Sequence, residues 1–370
     1  MGLSRMNFEQ DAAISEVSNV LSNYDLGKLN DLKRNYRGYL NISYSIKTIK
    51  HGKKSDYFLR RYRIETKPGD IEFEHTVVNH LIEKNFNLVA KVFPTKDGST
   101  YCTKFLDDDQ EQPIFYAIFE FLQGDDKYTW VDPHCSPREI ENAATILSMF
   151  HQAVADIIPR GQKTEPRIID LLPQITNNLE KYQPKELPSE FDECLTNHLP
   201  RILSNCAATL NALKMVDEGD LPRIVIHCDY HPGNLKFSGE TIVGLFDFDW
   251  SKIDLRTFDI ALAGWYFFTN WRGEQDGVLR LVEFRNFIGN YQDTFRDQAL
   301  LKPMNDVELA QLPWLMSAAN LYVLNWTIED YASKDVDPEE YLMYLQHSLN
   351  FINWFELEGK NLISAFTEPM

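Results

Sequence analysis

The sequence predicts an α+β chain of two lobes, a smaller sheet-rich lobe over residues 1–124 and a larger, mostly helical one over 125–370. Three observations lead there. Up to Leu122 the apolar residues fall in short runs broken by turn residues, and the last run, Pro113 to Leu122, stops at Gln123-Gly124. From Pro137 onward they recur at spacings of three and four, the period of helices buried along one face. A length of 370 residues allows a large core and two lobes.

Residues 11–35 read as a helix and connector, with Ile14, Val17, Val20 and Leu21 at helical spacing. Tyr36 to Lys47 reads as strand, turn and strand, and Tyr57 to Tyr62 as a further strand carrying Arg60. Over residues 71–84, Ile71, Val78 and Leu81 share one stripe of an amphipathic helix, and Glu74 falls on that stripe. A carboxylate on an apolar face needs a cation, and Arg60 is the expected partner. Pro94 and Asp97-Gly98 mark turns, and Asp107-Asp108-Asp109 reads as a solvated hairpin tip. Helices are expected from Pro137, over 169–181 and 191–215, and near 277–298, 306–331 and 338–357. An aromatic helix opens at Asp259.

The chemistry gathers in residues 224–263. The run Ile224-Val225-Ile226 is followed by His227, Asp229, His231 and Asn234; a second run, Ile242 to Phe246, ends on Asp247-Phe248-Asp249. Asn234 lies five residues after Asp229, and Asp247 eighteen after it. Phosphoryl-transfer sites use this layout, H-x-D-x-x-x-x-N followed by D-F-x. An amide oxygen and a carboxylate are hard donors suited to Mg²⁺ on a nucleotide. A separate carboxylate is needed to orient the acceptor hydroxyl and take its proton.

His227-Cys228-Asp229-Tyr230-His231-Pro232-Gly233-Asn234 resembles the catalytic loop of the aminoglycoside phosphotransferase and choline kinase superfamily. The segment DFDWSKIDLRTFDIA is similar to the choline kinase branch, whereas Tyr24 to Gly27 and Leu59 to Tyr62 look like the homoserine kinase branch. The resemblance implies a bilobal protein-kinase-like fold, a nucleotide-binding lobe over 1–124, a catalytic and substrate-binding lobe over 125–370, and ATP and Mg²⁺ as cofactors. It makes Asp229 the catalytic carboxylate and Asn234 and Asp247 the metal ligands. Gly38 and Asn41 would be the counterparts of the turn that closes over ATP phosphates. Arg60 stands where the family has a lysine, so either Arg60 or Lys47 would hold the phosphates, with Glu74 paired to Arg60. Backbone groups from Glu120 to Leu122 would hydrogen-bond the adenine.

His231 would contact the loop backbone or substrate, and Asp249 would be a second metal-side carboxylate or a substrate contact. His227 is expected to anchor the loop, Asp259 to brace it, and His151 to be a satisfied core residue. Trp250, Trp265 and Trp326, with Tyr266, Tyr322, Glu329 and Asp330, form a candidate pocket for an amine, or else an aromatic core with a solvated acidic end.

A net charge of −18 argues against nucleic acid and anionic membrane surfaces as partners. It marks a solvated acidic surface and would suit a cationic substrate. Five scattered cysteines form neither a disulfide framework nor a zinc motif, which points to the cytoplasm. The N-terminus lacks the apolar core of a signal peptide, and no segment has the length to span a membrane.

The expected activity is therefore phosphorylation of a hydroxyl on a small metabolite, an amino alcohol or a hydroxy amino acid of the choline, ethanolamine or homoserine type. An aminoglycoside kinase, a protein kinase and a nucleotide-binding module without transfer activity are the alternatives. The protein kinase reading lacks an A-P-E segment after Asp249. Acceptor identity and oligomeric state are not legible at this level.

Overall fold

A computed structural model describes residues 2–36, 41–105, 112–184, 187–216, 218–295 and 299–367. Gly38 and Asp107-Asp108-Asp109 lie outside the described residues. The chain divides into two compact units. One comprises Met1–Gly124, Ile158–Thr164 and Gly244–Asp249; the other comprises Asp125–Ile157, Glu165–Val243 and Trp250–Met370.

In the first unit, helix α1 (Gly2–Leu21) precedes β1 (Lys28–Asn35), β2 (Ile42–Lys50) and β3 (Lys53–Arg61). Helix α2 (Pro68–Glu83), β4 (Cys102–Phe105) and β5 (Pro113–Glu120) follow. The strands make one antiparallel sheet in the order β1-β2-β3-β5-β4. Side-chain alternation assigns its two faces. Tyr44, Ile46, Leu59, Ile114, Tyr116 and Ile118 pack with Val17, Val20 and Leu21 of α1. Phe115, Ala117 and Phe119 point the other way and cluster with Tyr62 and with Ile71 of α2.

Burial on both faces is why β5 reads as one unbroken apolar run. Arg60, next to Leu59, therefore faces α2, and its register neighbours Ser43 and Ala117 are small. The sequence expectation of a connector before residue 36 is corrected by β1. Its residues, Lys-Leu-Asn-Asp-Leu-Lys-Arg-Asn, are mostly exposed at a sheet edge, so they carry little apolar signal.

The second unit holds α3 (Pro137–Ala153), α4 (Ile168–Glu180), α5 (Glu190–Lys214), β6 (Arg223–Ile226) and β7 (Leu235–Ser238). Strand β8 (Thr241–Leu245) starts in this unit and ends in the first. Then come β9 (Lys252–Leu255), α6 (Arg256–Phe268), α7 (Leu281–Asp293), α8 (Asp306–Ser333) and α9 (Pro338–Thr367). Capping boxes start three helices: Ser136 with Glu139, Ser189 with Asp192, and Asn305 with Glu308. Every residue of α6 is buried, and α6 packs on α8, which packs on α9.

Strand β6 pairs with β9, and β7 with β8. The two apolar runs that flank the Asp229–Asn234 loop are thus not partners of each other. Strand β9 gave no sequence signal because two of its four residues are charged. Both are buried: Lys252 reaches Glu165 at 3.2 Å and the Pro166 carbonyl at 2.8 Å, and the Asp254 carboxylate accepts from the Ile168 N–H at 2.7 Å.

Candidate active site

Of the three spaced residues, Asp229 and Asn234 belong to the second unit and Asp247 to the first. In the second unit, β6 ends at Ile226 and the chain turns through Cys228, which has φ +62. A non-glycine residue held in this left-handed region needs its surroundings to fix it. Asp259, on the first turn of α6, does so. Its carboxylate accepts the N–H of His227 at 2.9 Å and of Cys228 at 2.8 Å. His151 also donates to it, Nε2 to Oδ2 at 2.9 Å, while Tyr291 donates to His151 Nδ1 at 2.8 Å.

Burial would push the Asp259 carboxyl up, but His151, His227 and the His227 N–H hold it below the ordinary range. His151 is pushed down by burial, so the pair is a carboxylate with a neutral imidazole. The loop stands on this buried anion.

Asp229 itself meets uncharged donors. Asn234 Nδ2 donates to its carbonyl oxygen at 2.9 Å and to its Oδ2 at 2.7 Å, and the Tyr266 hydroxyl stands 3.4 Å from Oδ1. His231 caps the short turn Pro232–Asn234, with Nδ1 accepting from the Gly233 N–H at 3.0 Å. A neutral ring that accepts at Nδ1 carries its proton on Nε2, which faces Asp229 Oδ2 at 3.4 Å. His231 thus contacts the loop backbone and the carboxylate together. Gly233 has no room for a side chain, since a Cβ there would lie 2.8 Å from the His231 ring. Asn234 spends its amide N–H groups on Asp229, which leaves the amide oxygen, a hard donor. The Asp229 side chain is 20% exposed.

In the first unit the pattern reverses, and carboxylates meet cations. Arg60, only 6% exposed, donates from one terminal nitrogen to Glu74 at 2.8 Å and from the other to Asp247 at 2.7 Å. Burial works against its charge, but Asp247 and Glu74 hold its pKa above the ordinary arginine value. Glu74 is fully inside rather than at the helix edge, and Tyr62 donates to its other oxygen at 2.8 Å.

That hydroxyl has one proton, so His75 Nε2–H must donate to it (3.0 Å), and Thr100 donates to His75 Nδ1 (2.7 Å). Burial and the neighbouring Arg60 push His75 down to about 3. Asp247 sits at φ +71. Asn41 Nδ2 donates to Asp249 Oδ2 at 2.7 Å, and its Oδ1 accepts the Arg63 N–H at 3.1 Å. Asp249 is thereby latched through Oδ2 to Asn41, while its buried Oδ1 has no hydrogen-bond partner among the described residues. Lys47 faces Asp56 at 3.9 Å with both side chains about half exposed. At the end of β5 the Glu120 N–H is committed to the Lys91 carbonyl at 2.8 Å, and Leu122 is half-buried.

The aromatic candidates separate. Trp265 is a correction: it is 1% exposed and donates to Asn320 at 3.1 Å, because all of α6 is core. Trp250 and Trp326 are half-buried. Trp130, which no periodicity picked out, is the centre of a cluster with Tyr266, Trp271, Trp326 and Tyr344 at ring distances of 4.6–6.2 Å. Tyr266 joins this cluster to Asp229. Trp130 lies in a connection without regular secondary structure, so only the tertiary fold reveals it.

Among the described residues, no group of three or more His, Cys, Asp or Glu side chains gathers as a metal site. One amide oxygen and carboxylates still suit a divalent ion that keeps waters and takes phosphate oxygens. No described helix is long and apolar enough to cross a membrane.

The chain is 25% identical over 345 residues to a homoserine kinase of Bradyrhizobium sp. (strain ORS 278), covering 91% of this chain and 93% of that protein. In fold it is similar to a microcompartment-associated aminopropanol kinase, at TM-score 0.67 and 16% identity over 94% of this chain and 98% of that one. It is also similar to an amicoumacin kinase in complex with AMP-PNP, Ca²⁺ and Ami, at TM-score 0.64 and 15% identity over 92% and 93%. The model of the phosphotransferase enzyme family matches residues 31–286, a span that takes in Arg60, Glu74, Asp229, Asn234, Asp247 and Asp259. This chain belongs to the phosphotransferase enzyme family and is a small-molecule kinase.

Proposed function

We propose that this enzyme transfers the γ-phosphate of ATP to a hydroxyl of a small amino alcohol or hydroxy amino acid. The observation that carries the reading is Asp229: a partly exposed carboxylate fixed by Asn234, His231 and Tyr266 and joined through Tyr266 to an aromatic cluster. With neutral neighbours on both oxygens, Asp229 orients the acceptor hydroxyl and takes its proton as the oxygen attacks phosphorus.

Asn234 and Asp247 are the residues that the motif assigns to Mg²⁺, which would neutralise charge on the transferred group. In the first unit Arg60 faces the phosphates rather than the exposed Lys47, with Glu74 keeping it in place, and Asn41 is the described part of the phosphate turn. The Glu120 carbonyl and the Leu122 N–H are the backbone groups offered to adenine. The five free cysteines suit a cytoplasmic setting.

The acceptor class follows from what lines the cluster. Trp130 and Trp326 are the partly exposed rings offered to a cation, and Asp132 and Asp276 add negative charge beside His347, which stacks on the buried Trp271 at 3.6 Å. An amine suits these groups; an amino acid would also need a cation for its carboxylate. The homoserine kinase relative favours the hydroxy amino acid as the second reading.

The deciding experiment measures Mg²⁺-dependent ATP turnover against ethanolamine, aminopropanol, choline, homoserine and an aminoglycoside, with the products identified by mass. Stimulation by an amino alcohol or by homoserine is expected. Tight nucleotide binding without turnover on any hydroxyl compound would make this a binding module, and phosphate on a peptide would make it a protein kinase.

A further inference from the structure

Residues 158–164 leave the chain between α3 and α4, yet they fold with the first unit. They dock on the N-terminal turn of α2 largely through the main chain. The Gln162 N–H donates to the Gly69 carbonyl at 3.2 Å, and the Thr164 N–H to Asp70 Oδ1 at 3.0 Å. Gly161 sits at φ +75, and a Cβ on it would lie 2.2 Å from the Gly69 carbonyl oxygen. Only glycine permits that approach. The strap is therefore built to one tight geometry, and what it delivers is Lys163.

The Lys163 ammonium donates to the main-chain carbonyl of Asp249. Burial alone would raise the Asp249 carboxyl; Arg60, Lys163, Arg63 and the Asn41 hydrogen bond together hold it low. Two residues back, Asp247 keeps the left-handed conformation that a non-glycine residue adopts only when its surroundings impose it. Side chains from elsewhere in the unit hold this segment, among them Arg60 on the Asp247 carboxylate, Asn41 on the Asp249 carboxylate, and Lys163 on the Asp249 carbonyl. Arg60 is already shared between two carboxylates. Lys163 grips the backbone itself.

We propose that Lys163 is a positioning residue of the phosphotransfer, clamping the Asp247–Asp249 segment so that the Asp247 carboxylate is presented to the metal–nucleotide. This rests on Asp247 being a metal carboxylate, as assigned above. The charge matters as well as the grip, because a cation beside Asp249 offsets the negative charge gathered around the metal.

The test compares full-length wild type, Lys163→Met and Lys163→Arg for binding of Mn²⁺·ADP by equilibrium dialysis without acceptor. Adenosine binding and thermal unfolding are measured alongside. Methionine keeps an apolar stem and removes the charge. Lys163→Met is expected to bind Mn²⁺·ADP about tenfold more weakly, with adenosine binding unchanged, and Lys163→Arg to recover most of the loss.

A folded Lys163→Met that binds Mn²⁺·ADP like wild type overturns the proposal. So does a loss that extends equally to adenosine and tracks a fall in melting temperature in both variants, since the strap would then be structural only. Asp247→Asn, measured in parallel, reads the underlying assignment. If it binds Mn²⁺·ADP as wild type does, or if wild type binds none, both the assignment and the proposal fail.

Discussion

The two units treat their carboxylates in opposite ways. In the first, Glu74, Asp247 and Asp249 face Arg60, Arg63 and Lys163, a group of opposite charges built around the buried Arg60–Glu74 pair. In the second, Asp229 faces an amide, an imidazole and a phenol, and its brace Asp259 is bonded to a neutral histidine and two backbone N–H groups. Under the roles proposed for these residues, the contrast has a chemical logic. A group that works on phosphates and metal is best set among fixed charges, which need no reorganisation when more charge arrives. A carboxylate that must take a proton loses basicity beside a cation, so neutral hydrogen bonds are the way to aim it.

The sharpest way to break this contrast is Asp229→Asn. The amide keeps the shape and the bond to Asn234 but cannot take a proton. Turnover is expected to fall about 10²- to 10⁴-fold with nucleotide binding nearly unchanged, read by steady-state kinetics and nucleotide titration. A small loss would mean that Asp229 is not the group facing the hydroxyl.

Arg60→Ala tests the other side. It leaves Glu74 buried and unpaired, so the expected cost is about 3–5 kcal/mol of stability. Denaturant unfolding reads it, and Arg60→Lys should recover part. A neutral result would mean that the cluster around Arg60 contributes no net stability.

The smallest effect is a pH dependence. His75 is buried neutral and pushed down to about 3, so the folded state binds fewer protons than the unfolded one between there and about 6.5. Its contribution is complete above pH 6.5 and is lost as the pH falls below it, about 2 kcal/mol by pH 5. Unfolding free energies measured at pH 7 and pH 5 should show that difference, and His75→Gln should shrink it. If the variant keeps the full wild-type slope, His75 is not the source.

How far the sequence reached depended on whether a feature is local. The buried strand β5, the stripe of α2 and the later helices were legible because each is written in the period of its apolar residues. Glu74 was legible for the same reason: a carboxylate on an apolar stripe has to be paired, and Arg60 pairs with it at 2.8 Å. Strands β1 and β9 were not, one because a sheet edge is solvated, the other because Lys252 and Asp254 are buried as charges whose partners, Glu165, Pro166 and Ile168, lie far away in the chain. Trp265 looked like a pocket residue because aromaticity does not reveal which way a fully buried helix turns.

What the sequence determined by itself was the class of chemistry, because hard oxygen donors at fixed intervals along a strand–loop–strand stretch carry it in their spacing. What only the tertiary structure decided was which groups surround those donors. Lys163 meets Asp249 across 86 residues, His151 meets Asp259 across 108, and Trp130 gathers rings from three helices and a loop. Such meetings follow from how helices and strands pack, and packing is a property of the whole core rather than of any short window of the chain.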